Sequence, residues 1–313
     1  MSARRIALKV DVDTLRGTLE GVPALAALLK RLNLPGTFYF SVGPDHTGRA
    51  LRRVFRRGFL GKVRRTSVAS HYGVRTLLYG TLLPGPQIGV RGGAAMRAVR
   101  DAGFEVGVHC HDHIRWQDGV AAADAAWTRR ELSRAVETFA SVFGEPPHSH
   151  AAAGWQINPH ALVLEEELGF AFASDARGPG PFLPSMDGIE GRCMQLPTTL
   201  PTFDELIGVE ERDPAGAAAE VLRLTRTDPS RDHVFTLHAE LEGGKLLPQF
   251  EWLVRRWQED GRALVAMRDL AAGLDAHALP RHEVRMGTVA GRSGVLAVQG
   301  ERLETARQDA PAA

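Results

Sequence analysis

The sequence has little cysteine and no long apolar run, and both absences narrow the class of protein. Its 313 residues include only two cysteines, Cys110 and Cys193, which are too few for a disulfide framework and fit a reducing compartment. No stretch approaches the roughly 18 uncharged apolar residues that a membrane-spanning helix needs. Lys9, Asp11 and Asp13 interrupt the first apolar run, which argues against a secretory signal. We therefore expect a cytoplasmic protein without a signal peptide or transmembrane helix.

What the chain contains is the composition and rhythm of a globular α/β protein. Hydrophobic residues make up 44% of it, enough for a sizeable core, while a net charge of +1 identifies no partner. Short apolar runs alternate with amphipathic segments, which indicates a parallel sheet, and at this length a distorted or incomplete (β/α) barrel of seven or eight strands is favoured. We predict strands at 6–12, 37–41, 104–109, 148–152, 170–174, 193–196, 234–238 and 262–267, with helices at 22–32, 94–102, 121–142, 159–168, 215–225 and 250–259.

Two segments interrupt the alternation. Residues from about 44 to 92 replace a strand-to-helix loop with a long insertion. Beyond Leu274 the chain is only weakly periodic. We interpret 1–274 as the barrel domain with its insertion, and 275–313 as a peripheral, partly disordered tail that carries no information about function.

Chemically reactive side chains follow the predicted strands, where a parallel barrel places its active site. Asp11 and Asp13 are two residues apart at the end of the first strand, so their carboxylates face one space. Such a pair is relieved by a cation or by a shared proton, although a capping pair with Thr14 is the alternative. His109 and His113 follow the third strand, and one helical turn brings both imidazoles to a single ion. This set favours zinc or a similar divalent metal.

Four further residues near strand ends keep alternative interpretations. His238 ends a buried strand and is either a catalytic group or a core histidine. Asp175 follows another strand and is suited to orient His238 through one ring nitrogen. Cys110 and His111 lie between the two metal-binding candidates, and the sequence leaves their roles open.

The order of these motifs resembles the polysaccharide deacetylase family, also called the NodB-homology fold. That resemblance implies a distorted (β/α) barrel that binds one divalent metal ion, usually zinc, with manganese or cobalt as alternatives. Within the family, several strings are similar to the bacterial deformylases that act on undecaprenyl-phosphate-linked 4-formamido-4-deoxy-L-arabinose in lipid A modification. The strings are KVDVDTLRG at 9–17, HCHDH at 109–113, WQ at 116–117, AAAGW at 151–155, SDARG at 174–178 and TLHAE at 236–240.

Matched position by position, the resemblance implies a role for each reactive residue. The metal ligands are Asp13, His109 and His113, the general base is Asp11, the general acid is His238, and Asp175 orients His238. Many relatives carry an arginine in the third motif that orients the base, but the matching residues 148–155 contain none. Arg16 and Arg177 are candidates for that role. Both are also candidates for substrate binding, together with Trp155.

The insertion is basic, because no acidic residue lies between Asp45 and Asp101. Its arginines include Arg52, Arg53, Arg56 and Arg57, interleaved with apolar residues at roughly helical spacing. This pattern is typical of a peripheral helix on an anionic membrane surface. A solvated lid and a nucleic-acid site are the alternatives, but the sequence has no motif for reading nucleic acid.

The sequence therefore predicts a metal-dependent hydrolase that deformylates a lipid-linked aminosugar at the cytoplasmic face of the inner membrane. An N-deacetylase of another glycan and a cyclic-amide hydrolase on the same fold are the enzymatic alternatives. A membrane lipid-phosphate binding protein with a vestigial metal site is the alternative from another class. Oligomeric state is left open.

Overall fold

A curled parallel sheet forms the centre of the protein. The computed structural model describes residues 4–50 and 75–304. In chain order the strands are β1 (Arg5–Val12), β2 (Thr37–Ser41), β3 (Glu105–Cys110), β4 (Ser149–His150), β5 (Phe172–Ala173), β6 (Leu183–Met186), β7 (Ile189–Glu190), β8 (Met194–Gln195), β9 (His233–His238), β10 (Ala263–Val265), β11 (Arg281–Gly287) and β12 (Leu296–Arg302). The main sheet runs β10-β1-β2-β3-β4-β5-β8, and β9 also pairs with β1.

Helices connect these strands and cover the outside of the sheet. They are α1 (Val22–Arg31), α2 (Ile88–Asp101), α3 (His113–Gly119), α4 (Ala125–Phe143), α5 (Pro159–Glu167), α6 (Phe203–Leu206), α7 (Pro214–Thr227), α8 (Leu247–Glu259) and α9 (Met267–Ala271). All pairings in the main sheet are parallel. The Thr199 N–H donates to the Val234 carbonyl at 3.1 Å and links the chain after β8 to β9. The prediction of an incomplete (β/α) barrel is confirmed.

Strand alternation divides the buried residues of the sheet between two cores. Ile6, Leu8 and Val10 pack in the larger core with the helices, whereas Ala7 belongs to a smaller cluster with Tyr39. Because alternate residues of a strand face opposite sides, Lys9 and Asp11 lie on the same side as Ala7, inside the barrel. The interior of the barrel therefore receives both of these charged groups of β1.

The helix after the insertion is longer than the sequence pattern predicts. The predicted helix at 94–102 begins instead at Ile88. Glycines at its start weaken the apolar periodicity, and they are present for packing. A Cβ on Gly92 would lie 2.6 Å from Cγ2 of Thr18, so only glycine permits this approach.

The expectation of a peripheral tail is wrong for its described part. Residues Arg281–Gly287 and Leu296–Arg302 form an antiparallel pair, and β11 pairs in parallel with β6. The Arg177 N–H donates to the Ala297 carbonyl at 2.9 Å, which joins this second sheet to the barrel. Most of β11 is partly exposed, so its sequence has too little apolar alternation to reveal a strand.

Within the described ranges, no helix is both long and apolar enough to cross a bilayer.

Candidate metal centre and active site

Three potential metal ligands converge at the carboxyl ends of β1 and β3. Oδ1 of Asp13, which directly follows β1, lies 3.3 Å from Nε2 of His109 and 3.4 Å from Nε2 of His113. His113 is the first residue of α3, and the Asp112 side chain caps that helix by accepting from the Arg115 N–H. A bend at residues 111–112, and not the predicted helical turn, separates the end of β3 from His113 and brings both imidazoles to Asp13.

The hydrogen bonds of this triad fit a divalent cation. Nδ1 of His109 lies 2.6 Å from the Ala151 carbonyl, which can only accept, so Nδ1 is the donor and Nε2 of a neutral ring carries a lone pair. Oδ1 of Asp13 is buried and accepts no hydrogen bond within the described structure. A carboxylate oxygen and imidazole nitrogens that meet in this way form a group that could hold a divalent cation.

Charge balance at Asp13 leads to the same conclusion. Burial alone would raise the pKa of Asp13, but His113 and His109 together hold it below its ordinary value. The pKa of His113 is lowered by burial, against the opposing effect of Asp13. A carboxylate beside neutral imidazole is the form that binds metal.

Backbone pairing places the predicted base and acid side by side. In the register of β1 and β9, Asp11 is the partner of His238, and the Ala239 N–H donates to the Asp11 carbonyl at 3.0 Å. Asp11 is held by Lys9, whose Nζ lies 3.2 Å from Asp11 Oδ2. The side chains of Asp11 and His238 line the same cavity as Asp13, His109 and His113.

Neither arginine suggested by the sequence orients Asp11. Arg16 is partly exposed and pairs with Glu20, with 2.8 Å between Nε and Oε2. Arg177 directs its guanidinium to Glu205 and to two backbone carbonyls. These contacts satisfy the hydrogen-bond donors of the Arg177 guanidinium group. Its central carbon lies 5.1 Å from the centre of the Trp155 ring. The suggestion that Arg16 or Arg177 orients Asp11 is therefore wrong, and the cation in contact with Asp11 is Lys9.

Asp175 does not orient His238, and this prediction is also wrong. The Asp175 carboxylate accepts from the Ala152 N–H at 2.7 Å and from Gln195 Nε2 at 2.8 Å. The acidic group beside His238 is Asp204, whose Oδ1 lies 3.7 Å from the His238 Nδ1. Burial opposes ionisation of Asp204, but Arg292 and His238 lower its pKa to about 2.

Asp175 instead belongs to a buried network behind the metal triad. Nδ1 of His150 lies 2.9 Å from Glu165 and 3.2 Å from Asp175. Although burial lowers the pKa of His150, these two carboxyl groups raise it to about 10. Asp175 also fixes the Ala152 N–H, while the adjoining Ala151 carbonyl accepts from His109. The network thus supports the orientation of His109, one of the three candidate metal ligands.

Two buried glutamates secure the turns that carry the reactive groups. Oε1 of Glu240 accepts from the Asp13 N–H at 3.1 Å and from the Thr14 N–H at 2.9 Å. Oε2 of Glu242 accepts from the His238 N–H at 2.7 Å. Burial raises the pKa of each glutamate to about 8, with the charge of Asp13 adding to the effect at Glu240.

The reactive groups open into a cavity of about 270 Å³. Thr47, Ala50 and Leu77, from the described ends of the insertion, form part of its lining. Trp155 and Arg292 contribute another part, and the Arg292 guanidinium carbon is 4.4 Å from the centre of the indole ring. The insertion and the C-terminal segment therefore both border the site.

The remaining sequence candidates are Cys110, His111 and four arginines of the insertion. Burial raises the pKa of the Cys110 thiol well above its usual range, and Sγ lies 3.3 Å from Ser41 Oγ. Burial lowers the pKa of His111 to about 4, and its ring packs against Gly43. Neither residue lines the cavity. Arg52, Arg53, Arg56 and Arg57 lie outside the described residues.

Several residues of the site were missed by sequence reasoning. Strand alternation would have found Lys9, which is two residues before Asp11 and therefore faces the same interior. The acidic run after His238 would have drawn attention to Glu240 and Glu242. No local pattern identifies Arg292, because only the pairing of the second sheet brings it to the cavity.

Comparisons with known proteins find relatives that span most of the chain. The family model for polysaccharide deacetylase matches residues 1–173. A curated protein from Shewanella sediminis (strain HAW-EB3), named "Probable 4-deoxy-4-formamido-L-arabinose-phosphoundecaprenol deformylase ArnD", is 35% identical over 96% of each chain. A protein of the same name from Wigglesworthia glossinidia brevipalpis is 29% identical, covering 90% of this chain and 98% of that one.

Solved structures share the fold at low sequence identity. A crystal structure assigned to polysaccharide deacetylases, from Mycobacterium smegmatis, has a TM-score of 0.63 and 19% identity, and the match covers 92% of this chain and 96% of that chain. The crystal structure of the Puue allantoinase has a TM-score of 0.60 and 15% identity, covering 86% and 90%.

Proposed function

Because the chain belongs to the polysaccharide deacetylase family, we propose that it hydrolyses the formamide of undecaprenyl-phosphate-linked 4-formamido-4-deoxy-L-arabinose. The products are formate and the free 4-amino sugar. One observation carries the hydrolytic part of this proposal: Asp11, His238 and the Asp13 triad all line one cavity. The names of the two curated relatives support the formyl group and the lipid-linked sugar.

The described residues divide the reaction between them. We propose zinc as the divalent ion of Asp13, His109 and His113, and when bound it would polarise the amide carbonyl and acidify water. Asp11 takes a proton from the attacking water, whose oxygen bonds to the formyl carbon. His238 gives a proton to the sugar nitrogen as the carbon–nitrogen bond breaks, because an amide nitrogen leaves poorly as an anion.

We propose that the catalytic unit is 1–274 and that Arg292 completes its cavity from beyond it. Trp155 forms a wall for the sugar, since its indole lies in the lining and its ring centre is 6.3 Å from that of His238. The two rings are nearly perpendicular, so we propose that the indole borders the sugar beside the residue that protonates the leaving nitrogen.

The insertion at about 44–92 is proposed to bind the anionic surface of the membrane in which the lipid substrate resides. Large apolar side chains are exposed at its described edge, with Leu82 81% and Val90 83% exposed. Leu19 nearby is 47% exposed. Arg52, Arg53, Arg56 and Arg57 would add attraction to acidic headgroups. We place the enzyme at the cytoplasmic face of the inner membrane, in lipid A modification and polymyxin resistance.

The decisive experiment measures formate released from the lipid-linked formamido sugar and acetate released from the matched acetamido sugar. Wild-type protein is expected to release formate, with bound metal near one equivalent. Asp13→Ala and His109→Ala are expected to lose both the metal and the activity. If these variants lose metal but still release formate, the proposed site is wrong. Preferential release of acetate would identify an N-deacetylase instead.

A further inference from the structure

Lys9 is a buried cation inside the barrel. Its side chain is 0% exposed. In the sheet, Lys9 is the register partner of Thr37 in β2 and of Thr236 in β9. A buried ammonium group is costly unless charge and hydrogen bonds compensate it. The energetic cost implies that Lys9 serves a specific partner.

The partner is Asp11, together with one backbone carbonyl. Nζ of Lys9 lies 3.2 Å from Asp11 Oδ2 and donates to the Ser174 carbonyl at 3.2 Å. Two aromatic rings flank it, with the ring centres of Trp155 at 5.3 Å and Tyr39 at 5.8 Å. These contacts fix the ammonium group from several directions, so it is a rigid point of attachment for the carboxylate.

The two oxygens of Asp11 consequently have different surroundings. Oδ2 is held by Lys9, whereas Oδ1 is buried and accepts no hydrogen bond from the described residues. Asp11 also lines the cavity that contains the metal triad. One oxygen is therefore anchored, and the other is left to accept a proton.

We propose that Lys9 is the positioning residue of the catalytic base Asp11. This inference rests on the proposed hydrolytic function, in which Asp11 removes a proton from water. Lys9 fixes the plane of the carboxylate so that Oδ1 is directed to the reacting water. Because Lys9 and Asp11 are two residues apart on one paired strand, their separation is set by the backbone.

The test is a double-mutant cycle between Lys9→Met and Asp11→Asn, with formate release as the readout. Lys9→Met keeps a long unbranched side chain but removes the charge. It is expected to lower kcat about 100-fold, the effect of a misplaced reacting group, while KM and bound zinc change less than about two-fold. In the Asp11→Asn background, the same substitution is expected to have almost no further effect on kcat.

A merely structural role predicts different results. General damage to the fold would multiply with the loss caused by Asp11→Asn, and it would lower the bound zinc and the melting temperature. Lys245→Met, at an exposed lysine, is the matched control and is expected to behave as wild type. If Lys9→Met does not fold, the cycle is repeated with Lys9→Gln, which keeps an N–H donor without the charge, and a loss of at least about ten-fold in kcat is expected.

The outcomes also separate this inference from the proposed function. If wild-type protein releases no formate, the proposed function fails. If wild-type protein is active and folded Lys9→Met retains kcat within about two-fold, the positioning role of Lys9 is wrong while the function stands. Where Lys9→Met does not fold, a loss of less than about ten-fold in folded Lys9→Gln leads to the same conclusion. Independent, multiplying effects of the two substitutions would also overturn the positioning role.

Discussion

Oδ1 of Asp204 lies 3.7 Å from Nδ1 of His238, which makes Asp204 the carboxylate beside the proposed general acid. Asp204 is held in place by the Thr202 hydroxyl, which donates to it at 2.6 Å, and by Arg292, whose Nη2 lies 3.4 Å from Oδ2. With its pKa near 2, Asp204 is ionised throughout the neutral range. Its negative charge therefore lies beside the ring that is proposed to give a proton to the leaving nitrogen.

We expect Asp204→Asn to lower kcat about ten-fold, equivalent to about 1.4 kcal/mol of transition-state stabilisation. Because the ring of His238 loses its neighbouring negative charge, the loss should fall on kcat and leave KM nearly unchanged. The measurement is kcat and KM for formate release, with bound zinc determined for each preparation.

Asp175→Asn provides the contrasting variant. It breaks the buried network with His150 and should lower the free energy of unfolding by about 3–5 kcal/mol. It should leave kcat per bound zinc nearly unchanged, since Asp175 bonds to Ala152 and Gln195 and not to His238. If Asp175→Asn lowers kcat per bound zinc and Asp204→Asn does not, our assignment is reversed.

The contrast between these two aspartates shows how far the sequence could predict the site. Asp11, Asp13, His109 and His238 were recognisable because each ends a strongly apolar strand, and strand ends meet in a parallel barrel. The partner of His238 was not recognisable, because Asp175 also follows a strand and only packing decides which carboxylate reaches the ring.

The same reasoning explains the errors in the fold. The longer central strands are buried and mostly apolar, so their positions can be predicted to within a few residues. β11 and β12 are largely exposed or half-buried, and most of their pairing is with each other. A local apolar pattern carries no information about such strands, and consequently Arg292 was assigned to a tail.

The C-terminal segment is expected to contribute directly to catalysis through Arg292. Arg292→Ala removes the stack on Trp155, a contact worth about 0.5–2 kcal/mol, and removes a counter-charge of Asp204. We expect kcat/KM for formate release to fall about five- to thirty-fold. Arg285→Ala, at an exposed arginine of β11, is the matched control. Equal activity of the two variants would show that the segment is peripheral after all.

Glu242 is expected to make the protein less stable as pH rises. Its pKa is raised by burial to about 8 from an ordinary value of 4.5, so the folded state holds a proton that the unfolded state has lost. The free energy of unfolding should therefore fall between about pH 4.5 and 8, by up to about 1.4 kcal/mol per pH unit from this group.

Glu242→Gln should remove this contribution, because glutamine does not titrate. Urea unfolding at pH 5.5 and 8.5 measures the effect, and the variant should gain stability relative to wild type at the higher pH. Glu145→Gln, at an exposed glutamate, serves as the control. Parallel pH dependence in wild type and Glu242→Gln would show that Glu242 ionises normally in the folded protein.

Binding to acidic vesicles is expected to depend on the position of the arginines in the chain, and not only on net charge. We compare replacement of Arg52, Arg53, Arg56 and Arg57 by glutamine with the same replacement of the exposed Arg129, Arg130, Arg134 and Arg285. Each basic residue near an anionic leaflet contributes about 1 kcal/mol. The first variant should therefore bind phosphatidylglycerol vesicles far more weakly than wild type, in a salt-sensitive manner. The second variant loses the same charge and should bind almost normally. If both variants lose binding equally, attraction is a property of the whole surface, and the insertion has no special role at the membrane.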